Sequence, residues 1–198
     1  MIKLIGTNHL MSKETIEERI KEENPDVIGV ELCEARAKAF IEPLGSSEKK
    51  LNSLLSNITE KIREKAQKQN LDYGSDMKTA LNYALDNDLD YIFVDMPIQK
   101  IQELFMKIPQ EEQIGFQKEI QEFEANFDKI DMGKINTQKV LMDLKNKYPI
   151  AFEFLINMRN LYITNQILKA KEKYKDKKIL IFLGKGHIEQ VEKMLENK

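Results

Sequence analysis

Two stretches of the same design stand at opposite ends of this chain, and they constrain its fold more than any other feature. Near the start, an apolar run leads into Gly6 and then, three positions later, His9; near the end, a second run leads into Gly184 and His187. The chain has no other histidine. An apolar run followed by a helical pattern is typical of a buried parallel strand that feeds a helix. We therefore expect the first and last strands to be neighbours and to bring both histidines to one site.

Two further apolar runs predict two more strands. They are residues 27–32, where Glu31 is the only charged residue, and residues 91–96, where Asp95 is the only charged residue. The segment between the first two runs has helical periodicity, so strand, helix and strand form a right-handed parallel unit. We predict an α/β fold with a mostly parallel four-stranded core sheet, helices on both faces and the strand order 2-1-4-3.

Helical periodicity predicts helices over most of the remaining chain. The first helix begins after Ser12 as N-cap and covers roughly residues 13–24. Further helices are predicted over roughly 47–69 and 77–85, within 98–147, and in the segment that Pro149 opens. Because the stretch 98–147 has no strand pattern, we expect it to form a helical cap over the sheet edge, or a surface for a homodimer. The length of 198 residues favours a single domain over residues 1–198.

The composition argues against several classes of protein. The net charge of −2, from 31 basic and 33 acidic residues, gives no basic excess for nucleic-acid binding. Cys33 is the only cysteine, so an internal disulfide is excluded and a reducing compartment is expected. No apolar stretch reaches the roughly 20 residues of a membrane span, and no secretory segment opens the chain. We expect a soluble cytoplasmic protein with no membrane partner.

Carboxylates interrupt two of the predicted strands near their ends. Glu31 stands among apolar residues and needs a cation or a shifted pKa, so it is a structural ion pair, for example with Arg36, or a metal ligand or general base. Asp95 either caps the next helix or faces the site. Glu34 and Arg36 lie on the predicted rim, where a solvated face is the default, and a Cys33 thiolate is a rival nucleophile.

The helix that Pro149 opens is predicted to carry a buried arginine. A spacing of 100° per residue places Arg159 among apolar neighbours, opposite a polar stripe that contains Asn160. A buried arginine must be paired. Arg159 therefore forms a structural salt bridge, for example with Glu31, or holds a carboxylate or oxyanion of a ligand.

The turn that precedes the last helix contains Gly184, Lys185 and Gly186, which invites comparison with a dinucleotide-binding motif. The comparison fails, because the third glycine of G-x-G-x-x-G is replaced by Glu189 and no strand follows. Phosphate binding at this helix N-terminus stays an alternative.

Several stretches, spread over most of the chain, share the pattern of one known family. They are Gly6–His9, Val30–Arg36, Gly74–Ala80, Phe93–Ile98, Arg159–Tyr162 and Gly184–His187. In these residues the chain resembles the TraB/PrgY family, which is related to the TIKI proteins and to the wider erythromycin-esterase and ChaN-like group. The chain departs from the family at Met158, where many members have a glutamate.

The resemblance implies an α/β core with both histidines, Glu31 and Arg159 at one site. TIKI-type members resemble peptidases that depend on divalent manganese or cobalt, and bacterial members are associated with the shutdown of peptide pheromone signals. We therefore expect His9, His187 and Glu31 to bind one divalent metal ion, Mn, Co or Zn. Arg159 would stabilise negative charge, and a carboxylate such as Glu34 or Asp95 would transfer the proton.

The expected substrate is a peptide or another small molecule, and the expected reaction is amide hydrolysis. Besides the catalytic groups and metal ligands, the residues that we expect to line the binding site are Gly6, Asn8, Arg36, Gly184, Lys185 and Gly186. Two alternatives stay open. One is a protein that binds and sequesters a peptide or small ligand without chemistry; the other is a metal-free, esterase-like hydrolase with histidine as base.

Overall fold

The computed structural model describes residues 1–8, 11–41, 64, 67, 74–126 and 135–197. His9 lies outside these residues, as does the helix predicted over 47–69, apart from two positions. The part of the predicted cap between residues 127 and 134 also lies outside them.

Four strands and nine helices are present in the described part of the chain. The strands are β1 (Ile2–Thr7), β2 (Val27–Val30), β3 (Asp90–Phe93) and β4 (Ile179–Gly184). The helices are α1 (Lys13–Glu23), α2 (Glu34–Ile41), α3 (Ser75–Asp86), α4 (Ile98–Phe105), α5 (Gln110–Asn126), α6 (Thr137–Lys147), α7 (Pro149–Phe152), α8 (Met158–Lys173) and α9 (Lys185–Glu196). Ser12 caps α1 as predicted, since its side chain accepts a hydrogen bond from the Thr15 N–H.

The four strands form one parallel sheet in the order β1-β4-β2-β3. The predicted α/β class is confirmed, and so is the pairing of the first and last strands. The predicted order 2-1-4-3 is wrong, because β4 lies between β1 and β2. All residues of β2 and β4 are buried, whereas β1 exposes Lys3 and β3 exposes Asp90. The two wholly apolar strands therefore take the centre of the sheet, and the strands with charged residues take its edges.

Helices cover both faces of the sheet. On one face α1 and α3 pack against β2 and β4, in a cluster that includes Ile16, Leu81 and Phe182. On the other face α8 and α9 pack against the same two strands through residues such as Ile163 and Val191. The central strands are thus apolar on both sides, which explains their continuous apolar runs.

A third apolar cluster is formed mainly by α4, α7 and the turn before α8. Its residues come from α4, from the ends of β3 and α7, and from the turn before α8; they are Met96, Ile101, Leu104, Phe105, Ile108, Ala151 and Leu155. Helices α4, α5 and α6 cover most of the described residues in the stretch 98–147, where the sequence predicted helices and no strand. Among the described residues, we find no helix with the length and apolar character that a membrane span requires.

One π-helical turn, Glu153–Asn157, joins α7 to α8, so that Pro149–Lys173 is one continuous helix. The Met158 N–H donates to the Glu153 carbonyl, five residues back. A π-turn inserts one extra residue into an α-helix and often stands at a functional site. Here it stands directly before Arg159 and changes the direction in which the preceding side chains point.

Candidate active site

Four of the predicted side chains meet at the carboxyl end of the sheet. Glu31 directly follows β2, and Asp95 comes two residues after β3. Arg159 is the second residue of α8, and His187 is the third residue of α9, directly beyond β4. Ligands of parallel α/β sheets bind at this end of the strands. We call Glu31, Asp95, Arg159 and His187 the central cluster.

Arg159 connects the two carboxylates of the central cluster. Its Nε donates to Asp95 Oδ1 at 3.1 Å, and its Nη2 donates to Asp95 Oδ1 and Oδ2 at 2.9 and 3.0 Å. The same Nη2 also donates to Glu31 Oε1 at 3.0 Å. Burial by itself lowers the pKa of Arg159, but the charges of Asp95 and Glu31 and these hydrogen bonds outweigh it. The pKa is raised overall, and the guanidinium stays charged.

Asp95 accepts from a second arginine as well. Arg36, in α2, donates through Nη1 to Asp95 Oδ2 at 2.9 Å. The Asp95 side chain is fully buried, whereas that of Arg36 is 41% exposed. The N-cap of α4 is Pro97, which makes no side-chain cap bond, so Asp95 does not cap this helix. Arg36 forms an ion pair with Asp95, and Glu31 forms one with Arg159, which is one of the alternatives that the sequence left open.

Glu31 also binds the N-terminus of α9. The backbone N–H of Gly184 donates to Glu31 Oε2 at 2.6 Å. Gly184 is the N-cap residue of that helix, where free N–H groups and the helix dipole favour a negative charge. A carboxylate of the chain itself therefore lies beside this helix N-terminus.

His187 is buried beside Glu31. Its Nε2 lies 3.4 Å from Glu31 Oε1, and the side chain is 9% exposed. On the other side of the ring, Nδ1 contacts Asn160 Oδ1. Asn160 has no exposed surface, although it was predicted on the polar stripe opposite Arg159. A histidine that is held through Nδ1 presents Nε2 to the site, as metal-binding histidines commonly do.

The central cluster offers part of a metal site. Nε2 of His187 and Oε1 of Glu31 are donors of the kind that Zn, Mn or Co binds. Within the residues that the structure describes, no three His, Cys, Asp or Glu side chains are grouped so that they could hold a metal ion. His9, the third predicted ligand, lies outside those residues. The donors fit the expected metal in kind and supply two of the three predicted protein ligands.

The structure does not bring Glu34 into the central cluster. The Glu34 side chain is 73% exposed and forms an ion pair with Lys38 at 3.0 Å, one turn along α2. This exposed position fits the default prediction for Glu34, a place on a solvated face. Glu34 also lines the cavity that Asp95 borders, and its role in proton transfer stays a prediction.

The predicted binding residues border the cluster to different degrees. Gly6 lies beside α9, and a Cβ at this position would come within 3.0 Å of Ile188 and 3.3 Å of Lys185. Gly184 contributes its N–H, and Gly186 faces Thr137 and Leu141 of α6. Lys185 is exposed, and Asn8 is half-buried at the end of β1.

A cavity of about 410 Å³ lies next to the cluster, along the edge strand β3. Asp95 contributes to its wall together with Cys33, Tyr162 and Lys169. Cys33 is buried, in keeping with a small apolar residue rather than an exposed nucleophile. The volume suits a small ligand or one part of a larger one.

The amides that support His187 were not predicted from the sequence. Asn160 is the residue after Arg159, and Gln190 is three residues after His187, so both lie close in sequence to predicted site residues. Their helical spacing was a usable signal, since i and i+3 lie on the same side of a helix. Their role depends on how α8 and α9 face each other, which no local pattern encodes.

A scan of the chain against protein-family models finds no match, and a search of the curated proteins finds none either. The resemblance to the TraB/PrgY family therefore stays a prediction based on the stretches quoted above.

Proposed function

We propose that the protein is a divalent-metal-dependent hydrolase, most similar in chemistry to a peptidase, with the central cluster as its active site. The observation that supports this proposal best is the approach of His187 Nε2 to Glu31 Oε1, at 3.4 Å, at the carboxyl end of a parallel sheet. Both atoms are metal donors, and the resemblance implies a third ligand in His9.

His187, Glu31 and His9 would hold the metal ion, with Mn, Co or Zn as the candidates. When bound there, the metal supplies a water of lowered pKa and polarises a carbonyl oxygen. The chain itself supplies charge next to this position. Its buried carboxylates and guanidinium groups are oriented by direct hydrogen bonds, so little reorganisation is needed when a substrate binds.

Arg159 is the group that we assign to substrate binding. Among the described residues, all hydrogen bonds of Arg159 use Nε and Nη2, so the hydrogens of Nη1 are left for an external oxygen. Its side chain is 17% exposed, which gives a ligand access. A guanidinium held in this way can bind a substrate carbonyl, a carboxylate or the developing oxyanion.

Asp95 accepts hydrogen bonds from both Arg36 and Arg159. We therefore assign it to orienting these two guanidinium groups instead of transferring a proton. Glu31 is then the carboxylate nearest to His187 Nε2, and it is the candidate acid or base as well as a candidate ligand.

One observation favours a second candidate function, ligand binding without chemistry. The two carboxylates and two guanidinium groups of the site already neutralise one another through direct bonds. Such a site can recognise a peptide or small molecule through Arg159 alone, with no metal. With either function, the homodimer and the cytoplasmic location remain predictions from the sequence.

The first test is the metal content of the untagged protein, measured by elemental analysis after incubation with manganese, cobalt or zinc and removal of free metal. We expect about one metal ion per chain, as in a mononuclear site. His187→Ala should lose it, whereas Glu189→Gln, an exposed substitution on the same helix, should retain it. No uptake of any of the three metals by the wild-type protein would overturn the metal-dependent proposal.

The second test separates the candidate functions by turnover. A peptide library is incubated with the protein with and without chelator, and products are identified by mass spectrometry. Hydrolysis that stops with chelator supports the proposal, and hydrolysis that continues supports the metal-free hydrolase. Peptide binding without products, unchanged by chelator, supports the sequestering protein.

A further inference from the structure

A chain of polar side chains runs from the protein surface to His187. Asn157 Nδ2 donates to Glu153 Oε2 at 2.6 Å, and Gln190 Nε2 donates to Asn157 Oδ1 at 2.8 Å. Asn160 Nδ2 then donates to Gln190 Oε1 at 2.6 Å, and Asn160 Oδ1 contacts His187 Nδ1. Hydrogen bonds thus connect five residues in series, and these residues come from the π-turn, α8 and α9.

The chemistry of the first residue sets the direction of every bond in this series. A carboxylate can only accept a hydrogen bond, so Glu153 requires the amide nitrogen of Asn157 to face it. The oxygen of Asn157 then faces Gln190, and each following amide is oriented in the same sense. The last amide presents its oxygen to the histidine, and only a protonated Nδ1 can bond to that oxygen.

We propose that Glu153, Asn157, Gln190 and Asn160 are positioning residues that keep a proton on Nδ1 of His187 and leave the lone pair on Nε2. The use of this lone pair, as metal ligand or as base, rests on the proposed function. The tautomer of His187 does not rest on the proposed function, since it follows from the hydrogen bonds of this series of side chains alone.

The series opposes a second influence on the same ring. The carboxylate oxygen of Glu31, 3.4 Å from Nε2, favours a proton on Nε2. Without an acceptor at Nδ1, the neutral imidazole would place its single proton on the side of Glu31. The amide series therefore decides which ring nitrogen is free, and it does so from Glu153, an exposed residue outside the central cluster.

Two residues of this series lie in the π-turn. Glu153 and Asn157 are its first and last residues, and their side chains bond to each other across it. Gln190 lies on α9, one turn after His187, and reaches across to both asparagines. The irregular turn before Arg159 thus aligns a second set of side chains with α9.

The test is two-bond ¹H–¹⁵N NMR of the metal-free, substrate-free protein, at a pH at which the imidazole is neutral. This spectrum identifies the nitrogen that carries the proton. The chain has only two histidines, and His187→Ala assigns the signals. We expect the proton of His187 on Nδ1 in the wild-type protein. In Glu153→Lys the first group can only donate, so every amide reverses and the proton is expected on Nε2.

Two further variants control for other effects. Glu189→Lys makes the same charge change at an exposed position of α9, where Glu189 pairs only with Lys193 among the described residues, and should leave the proton on Nδ1. In the double variant Glu153→Lys/Asn160→Asp, the new carboxylate at position 160 again can only accept, and the proton should return to Nδ1.

A wild-type protein with its proton on Nε2, or a folded Glu153→Lys variant that keeps it on Nδ1, would overturn the inference. If Glu153→Lys does not fold, Glu153→Gln replaces it. That variant is expected to show a reduced Nδ1–H population, and an unchanged population overturns the role of Glu153. Failure of metal uptake or turnover would leave these spectra unaffected, so the two proposals fail separately.

Discussion

At the scale of single residues, Asp95 is the group on which the site depends most. It lies between two guanidinium groups and also accepts from the backbone N–H of Met96 at 2.8 Å. Its side chain has no exposed surface. Loss of this carboxylate would leave the buried Arg159 with Glu31 as its only anionic partner among the described residues.

We therefore predict that Asp95→Ala lowers the free energy of unfolding by on the order of 3–5 kcal/mol, the usual cost of removing one partner of a buried ion pair. Asp90→Ala is the matched control at the other end of β3, where an exposed carboxylate pairs with Lys177. It should change the stability little, because exposed pairs contribute little. Urea denaturation measures both, and equal effects of the two substitutions would contradict this account.

Residue chemistry made the members of the site recognisable in advance and offered the pair of Arg159 with Glu31 as one alternative, but it did not indicate the partners of Asp95. Charged residues at the ends of apolar strands, and an arginine on an apolar helix face, indicated Glu31, Asp95 and Arg159. The pairing of Arg36 with Asp95, and of Arg159 with both carboxylates, depends on the order of β2 and β3 in the sheet. Because the strand order could not be read from the sequence, these pairings stayed open.

At the scale of elements, β2 and β4 are held close together by a glycine. A Cβ at Gly29 would lie 3.0 Å from Ile181 Cγ1 and 3.2 Å from Ile92 Cγ1. Both neighbours are side-chain atoms on adjacent strands in a closely packed core, so an added Cβ would require them to shift by a few tenths of an ångström. The glycine inside this strand marks a close approach of side chains from both sides.

Gly29→Ala is predicted to destabilise the protein by about 1–3 kcal/mol through overpacking. In Gly186→Ala, by comparison, the new Cβ would lie 3.7 Å from Thr137, an ordinary contact, and alanine favours the helix. That control should be neutral or slightly stabilising. Thermal and chemical denaturation of the two variants test the difference, and a neutral Gly29→Ala would show that the central strands have room to adjust.

At the scale of the whole molecule, stability is distributed unevenly over the described parts. The sheet and its flanking helices form two apolar clusters, and the cap helices form a third that is separate from them. Helix α6 has no buried residue, whereas all six residues of β4 are buried. A segment with so few buried contacts can open without unfolding the core.

We predict that backbone amides in the middle of α6 exchange with deuterium on the order of 100-fold faster than those of β4, or more, because local opening exposes them. Helix α3, with five buried residues, is the matched control and should be protected nearly as well as β4. Hydrogen exchange followed by mass spectrometry measures all three segments. Equal protection of α6 and β4 would mean that the cap and the sheet unfold together.

The class of fold, the four strands and the residue types at the carboxyl end of the sheet were all predictable from local sequence patterns. These features follow from local causes: apolar periodicity, helix caps, and charged residues that interrupt buried runs. The position of β4 between β1 and β2 emerged only from the tertiary structure, because strand order depends on pairings between segments that are far apart in the sequence. The tertiary structure also decided that Asn160 and Gln190 join Glu153 to His187, since these contacts form only where α8 and α9 pack face to face.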